Sequence, residues 1–193
     1  MINDMKVKSQ KSKVKRGFTL IETLIAVLLL ATAITGPLTI ASKGLTATLV
    51  AKDQFTAFYL AQDAIEYVRY VRDSSCLAAG GGPEGCPLGS WMPLLANCGS
   101  ANGCYFDSLS DDITPPTACG GTCPAMKYDS ALKKFSYTSG TPTPQRFVRT
   151  VSVESSPSGN QDEVIVTVTL AWSDVAGVVH APVIVRENLF RWQ

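Results

Sequence analysis

Gly17-Phe18-Thr19-Leu20-Ile21-Glu22-Thr23-Leu24 opens an apolar run that reaches Ala41, and Glu22 is the one charged side chain within it. Wound as a helix at 1.5 Å per residue, residues 18–41 span about 36 Å, enough for a bilayer core with some tilt. A carboxylate four residues into such a span costs roughly 2–3 kcal/mol or more. A residue placed at that cost usually has a partner, so the reading of the chain turns on what Glu22 faces.

Outward from this stretch, the charge is distributed unevenly. Lys6, Lys8, Lys11, Lys13, Lys15 and Arg16 stand against Asp4, which puts +5 on residues 1–17. The whole chain carries +1, so −4 remains on residues 18–193. A basic segment abutting an apolar span suits retention on the cytoplasmic side, with the C-terminal part outward. A charge of −4 provides no footprint for nucleic acid over the bulk of the chain.

Lys15-Arg16-Gly17-Phe18-Thr19-Leu20-Ile21-Glu22, followed by a long apolar helix, resembles the processing and methylation motif of type IV prepilins and of the related pseudopilins of type II secretion. The resemblance covers the N-terminal part up to residue 41 and rests on a basic leader, Gly, Phe, Glu and an unbroken apolar run coinciding. It implies that a prepilin peptidase cuts between Gly17 and Phe18 and methylates the new amine. It also implies that the Phe18 amine of one subunit neutralises Glu22 of a neighbour in a helical filament. The implied partners are the prepilin peptidase, other pilin subunits, the pilus or secretion assembly machinery and membrane lipid. The implied course is single-pass insertion in the cytoplasmic membrane with the N-terminus cytoplasmic, then an extracellular or periplasmic filament in which this chain is a structural, minor subunit.

Two other readings of the same residues stay open. The basic start, the apolar residues 24–30 and Ala31-Thr32-Ala33 also describe a secretory signal cut after Ala33, although the apolar pattern continues beyond it. A plain signal anchor holding a disulfide-bonded exodomain explains the span and leaves Glu22 unpaired. A mature N-terminus at Phe18, Ile34 or Met1 separates the three. Within the span, Gly36-Pro37 predicts a kink or local melting, because proline removes a donor and clashes with the preceding turn. Helix breakers there are associated, in the family resembled, with loosening on assembly.

Residues 42–73 continue as an amphipathic helix. Val50, Phe55, Phe58, Ala61, Ile65 and Val68 recur at helical intervals and predict the face that packs on the rest. Lys52, Asp53, Asp63, Glu66, Arg69 and Asp73 supply a solvated face, with Arg69 and Asp73, and Asp63 and Tyr67, spaced for local support.

Residues 74–132 change character. Glycines and prolines punctuate the segment, and it holds all six cysteines: Cys76, Cys86, Cys98, Cys104, Cys119 and Cys123. An even count beyond a membrane span predicts a disulfide framework, for which six cysteines allow fifteen connectivities. Zinc is the rival, but the closest pair is Cys119 and Cys123 and the single histidine, His180, is far along the chain. With few large apolar residues, the connector is expected to rely on cross-links in place of a core. Pilin disulfides commonly tie down the C-terminal region, a device without a counterpart after Cys123. Some pseudopilins bind calcium, yet Asp107, Asp111, Asp112 and Asp129 lack EF-hand spacing and read as loop carboxylates.

Residues 133–193 read as strands. Phe135 and Tyr137 alternate with polar residues, 147–153 form a second candidate, and Val164, Val166, Val168, Leu170 and Trp172 make the clearest period-two run. A last strand follows with Val179, Ala181, Val183, Val185 and Leu189 on one face, and Pro182 marks an edge or a strand start. The fold class is therefore α+β: a long, partly transmembrane N-terminal helix on a four-stranded antiparallel sheet, with a disulfide-bearing loop region between them. The expected domains are 1–17 leader, 18–41 membrane or filament-core helix, 42–73 helix continuation, 74–132 connector and 133–193 sheet. Nothing reads as catalysis: the Gly80-Gly81-Gly82 run lacks the Lys-Ser/Thr of a phosphate loop, and no serine sits in a nucleophile elbow. No cofactor and no metal are expected.

Overall fold

The computed structural model describes residues 17–80, 88–99, 101–108, 113–155 and 163–190. A single helix, α1 (Leu20–Ala78), runs for 59 residues. The chain divides into two units, Met1–Ala47 and Thr48–Gln193, and α1 contributes to both.

In the first unit every described side chain is exposed, including the leucines and isoleucines between Leu20 and Leu45. The helix does not melt at Gly36-Pro37. One proline removes one donor from the ladder, whereas melting would release many. Hydroxyls on either side bond back to the helix: Thr32 donates to Leu28 O and Leu29 O, Thr35 to Thr32 O and Thr39 to Thr35 O, all at 2.8–3.1 Å.

In the second unit the buried residues of α1 are Asp53, Ala57, Ala61, Ala64, Ile65, Tyr67, Val68, Val71 and Cys76. Ala61, Ile65 and Val68 lie there as the periodicity predicts, but Phe55 is 65% and Phe58 44% exposed. The stripe is anchored by alanines, one residue off Phe58, and each residue turns the helix by about 100°. Small side chains let the sheet approach the helix closely; two phenylalanines there would hold it away.

The connector does more than the sequence predicts. Its elements are α2 (Leu88–Trp91), a 3₁₀ helix (Met92–Gly99), β1 (Cys104–Tyr105), β2 (Thr117–Ala118) and β3 (Lys127–Asp129). Trp91, Leu95 and Phe106 are buried in the main core with Ile65, Val68, Val151, Val166 and Leu189. The segment thus has a core as well as cross-links. The disulfides Cys98–Cys104 and Cys119–Cys123 lie within it. Cys76 at the end of α1 is also disulfide-bonded, and Cys86 lies outside the described residues.

The main sheet is antiparallel and has five strands rather than four. Three long strands form the expected meander: β6 (Arg146–Ser155), β7 (Glu163–Ser173) and β8 (Val183–Phe190). The other two come from the connector, with Cys104 opposite Val151 and Ala118 opposite Cys104. Gly103 makes this approach possible: its φ is +67°, and a Cβ there would sit 2.8 Å from Val151 O. The strand expected around Phe135 is β4 (Lys134–Ser136), which joins a separate sheet of order β4-β3-β5, where β5 is Thr141–Pro142. Gly140, at φ +96°, lies so near the Tyr128 backbone that a Cβ would stand 2.6 Å from it, which turns the chain onto β3 and away from β6.

The alternation in β7 holds: Val164, Val166, Val168, Leu170 and Trp172 are buried and the residues between them are not. Pro182 immediately precedes β8, which is an edge strand. Val183, Val185 and Leu189 point inward as expected, whereas Val179 is exposed. A second, smaller core joins Ala57 with Phe147, Leu170 and Trp172.

Candidate processing and assembly site

The three residues singled out at the N-terminus lie together at the start of α1. Gly17, Phe18 and Thr19 precede the helix, and Glu22 is in its first turn. Thr19 caps the helix: its Oγ1 accepts from the Glu22 N–H at 3.4 Å, and its carbonyl from the Thr23 N–H at 3.2 Å. Thr19-Leu20-Ile21-Glu22 is therefore a capping-box sequence, a signal legible in the chain that a membrane-centred reading passes over. The acidic side chain also faces the positive end of the helix dipole. Together these local effects are worth about 1 kcal/mol.

Gly17 has no internal reason to be glycine. A Cβ built there meets nothing within 4 Å, and its φ lies outside the left-handed region. Phe18 is 80% exposed and makes no ring contact among the described residues. Beyond Glu22, α1 is long and apolar enough to cross a membrane. So extensive an exposed apolar surface is unfavourable in water.

Several charged residues of the second unit pair within the fold. Arg149 is fully buried: Nη1 donates to Leu60 O at 3.0 Å and Asp63 Oδ2 at 2.9 Å, Nη2 donates to Phe106 O at 2.8 Å, and the guanidinium lies 5.2 Å from the Phe106 ring centre. It joins helix, connector and sheet. Asp63 thus pairs with Arg149 and with Ser108, and Arg69 with Glu66 and Glu187, in place of the i,i+4 partners predicted.

The described loop carboxylates also bond within the fold, although Asp107 Oδ1 is buried with no hydrogen-bond partner among the described residues. Burial pushes the Asp107 carboxyl up, but hydrogen bonds from Ser136, Thr138 and the backbone of Tyr137 and Thr138 outweigh it and hold it below the ordinary value. Asp129 caps the turn that follows it, accepting from the N–H groups of Ala131 and Leu132. Asp111 and Asp112 lie outside the described residues. Among the described residues no group of three or more His, Cys, Asp or Glu is placed to hold a metal ion. His180 is half-buried, with its ring stacked on Trp172 and Nε2 3.1 Å from Asp174 Oδ2.

A family model described as the prokaryotic N-terminal methylation motif matches residues 12–36. That interval takes in Gly17, Phe18 and Glu22 and ends at Gly36, just before Pro37. Comparison with curated proteins and with solved structures finds no match to either.

Proposed function

We propose that this chain, which carries the prepilin-type methylation motif over residues 12–36, is a type IV pilin-like protein and a minor structural subunit of a pilus or pseudopilus. It is inserted in the membrane through residues 18–41 and cleaved by a prepilin peptidase after Gly17. Phe18 is then N-methylated, and the chain is drawn into a filament. One observation carries the reading: within the motif, a helix bearing a single carboxylate turns every apolar side chain outward. In the membrane those side chains meet lipid. In a filament they meet other copies of the same helix, where a neighbouring Phe18 ammonium about 4 Å from Glu22 contributes up to roughly 4 kcal/mol at an effective dielectric near 20. Gly17 fits the same account, because its lack of internal contacts leaves an external reader, the peptidase, as the reason for a residue without a side chain.

The capping geometry favours a second reading, a membrane-anchored exodomain that never polymerises. There Glu22 needs no partner chain, because its carboxylate sits in the first turn of α1, at the positive end of the helix dipole. Intact-mass analysis and N-terminal sequencing of native membrane and sheared-surface fractions distinguish the two. The filament reading requires N-methyl-Phe18 in both fractions. An N-terminus at Met1 supports the anchor, and one at Ile34 a cleaved secretory signal.

A further inference from the structure

The disulfides Cys98–Cys104 and Cys119–Cys123 stand in different surroundings. Cys98 and Cys104 are fully buried in the main core, and Cys104 is paired on both sides, with Ala118 of β2 and Val151 of β6. Cys119 and Cys123 are 5% and 3% exposed but belong to neither core cluster. They close the loop Cys119-Gly120-Gly121-Thr122-Cys123, whose three middle residues are exposed. A Cβ on Gly120 or Gly121 would meet nothing within 4 Å, so that side of the loop is open to a small reagent.

The two sulfurs of this loop are not equivalent. The Thr150 hydroxyl, on β6, donates to Cys123 Sγ at 3.3 Å, and Cys104 O lies 3.8 Å from the same atom. Among the described residues nothing donates to Cys119 Sγ. A disulfide sulfur has no proton, so it can use the Thr150 hydroxyl and not the Cys104 carbonyl. A thiol can use both, and a thiolate is a stronger acceptor for the hydroxyl than a disulfide sulfur. The surroundings of Cys123 are thus furnished for its reduced form. Exchange is faster when the departing sulfur is the better-stabilised thiolate.

We propose that Cys119–Cys123 is a thiol–disulfide exchange site for dithiols, attacked at Cys119 with Cys123 departing, and that its opening frees edge strand β2. A thiolate of the dithiol bonds to Cys119 Sγ as the Cys119–Cys123 bond breaks. The electron pair of that bond passes to Cys123, which takes a proton and can then donate to Cys104 O. The second thiolate of the dithiol attacks its own sulfur in the mixed disulfide and releases Cys119, which is protonated in turn. The chain gains two electrons and two protons, and the dithiol is oxidised to a disulfide. The structural consequence is local. β2 is an edge of the main sheet, held to β1 by two residue pairs and by Cys119 N–H, which donates to Gly103 O at 2.9 Å. Beyond the loop, Ala125 bridges Val148 and Met126 N–H donates to Phe147 O at 2.8 Å. The disulfide therefore clips β2 to the segment that returns to β6. Without it β2 keeps a marginal pairing, and its loss uncovers β1. This site is independent of whether the chain polymerises.

The test treats the full chain in detergent micelles with dithiothreitol at mildly alkaline pH, quenches by alkylation at intervals and reads the peptides by mass. Cys119–Cys123 should open about tenfold or more faster than Cys98–Cys104. Glutathione followed by rapid alkylation should leave the glutathionyl group on Cys119 and the alkyl group on Cys123. Thr150→Val, which keeps the side chain's shape and removes the donor, should slow opening about tenfold, and Thr150→Ser should keep it near wild type. On opening, the Cys119 amide should lose protection from hydrogen exchange while that of Val168 in β7 retains it. Cys98–Cys104 opening first, glutathione on Cys123, an unslowed Thr150→Val or an unchanged Cys119 amide would each overturn the proposal.

Discussion

The two halves of α1 handle apolar residues in opposite ways. Between Leu20 and Ala47 the helix carries leucine, isoleucine and valine on all sides, and every one is exposed. From Thr48 to Ala78 the buried residues are Asp53 and then Ala57, Ala61 and Ala64 ahead of Ile65, while Phe55, Phe58 and Tyr59 face outward. Hydrophobicity alone therefore does not say what a residue is for. In the first half the large apolar side chains are exposed. The second half uses small side chains so that a sheet can approach.

The sharpest way to break this contrast is to remove the one charge in the first half. Glu22→Ala and Glu22→Gln should leave membrane insertion and cleavage intact, while incorporation into sheared filaments falls to background. Locally only the interaction of the carboxylate with the helix dipole is lost, about 0.3–1 kcal/mol, too little to explain such a failure. If both variants enter filaments like wild type, charge pairing does not set the register and the anchor reading gains.

The second half should respond in stability. Trp91→Ala removes a fully buried ring from the core shared by α1, connector and sheet, and chemical denaturation should register a loss of about 3–5 kcal/mol. Leu28→Ala, in the first half, should leave that midpoint unchanged. Ala61→Leu tests the close approach from the other direction: overpacking a fully buried alanine should lower stability by about 1–3 kcal/mol.

Two of the cross-links close short loops. Cys98–Cys104 and Cys119–Cys123 close loops with separations of 6 and 4 residues. Loops that short constrain the unfolded chain modestly, so replacing Cys98 and Cys104 together by alanine should cost about 2 kcal/mol. Alkylation of unreduced protein should find no free thiol. The smallest effect is expected at Phe55→Ser, within about 0.5 kcal/mol, because the ring faces outward. A loss of several kcal/mol there would return Phe55 to the core and undo the alanine stripe.

What the sequence determined by itself is what local chemistry can encode. The apolar run with its lone Glu22, the basic leader and the Gly17-Phe18 junction make the prepilin-type signature. The valines of β7 alternate because a strand presents successive side chains to opposite faces, and Pro182 marks the start of an edge strand because it cannot donate to a ladder. What only the tertiary structure decided depends on residues distant in the chain. Which side of α1 is buried follows from the sheet's need for close approach, and a periodicity that scores phenylalanine above alanine points one residue astray. That Cys104 and Ala118 extend the main sheet, while Lys134–Ser136 leaves it, was settled by Gly103 and Gly140, whose missing side chains admit backbones far away in sequence. The partners of Arg149, drawn from three segments, belong to the same class. Such contacts have no local signature, because a buried polar group must find its partners wherever the fold brings them.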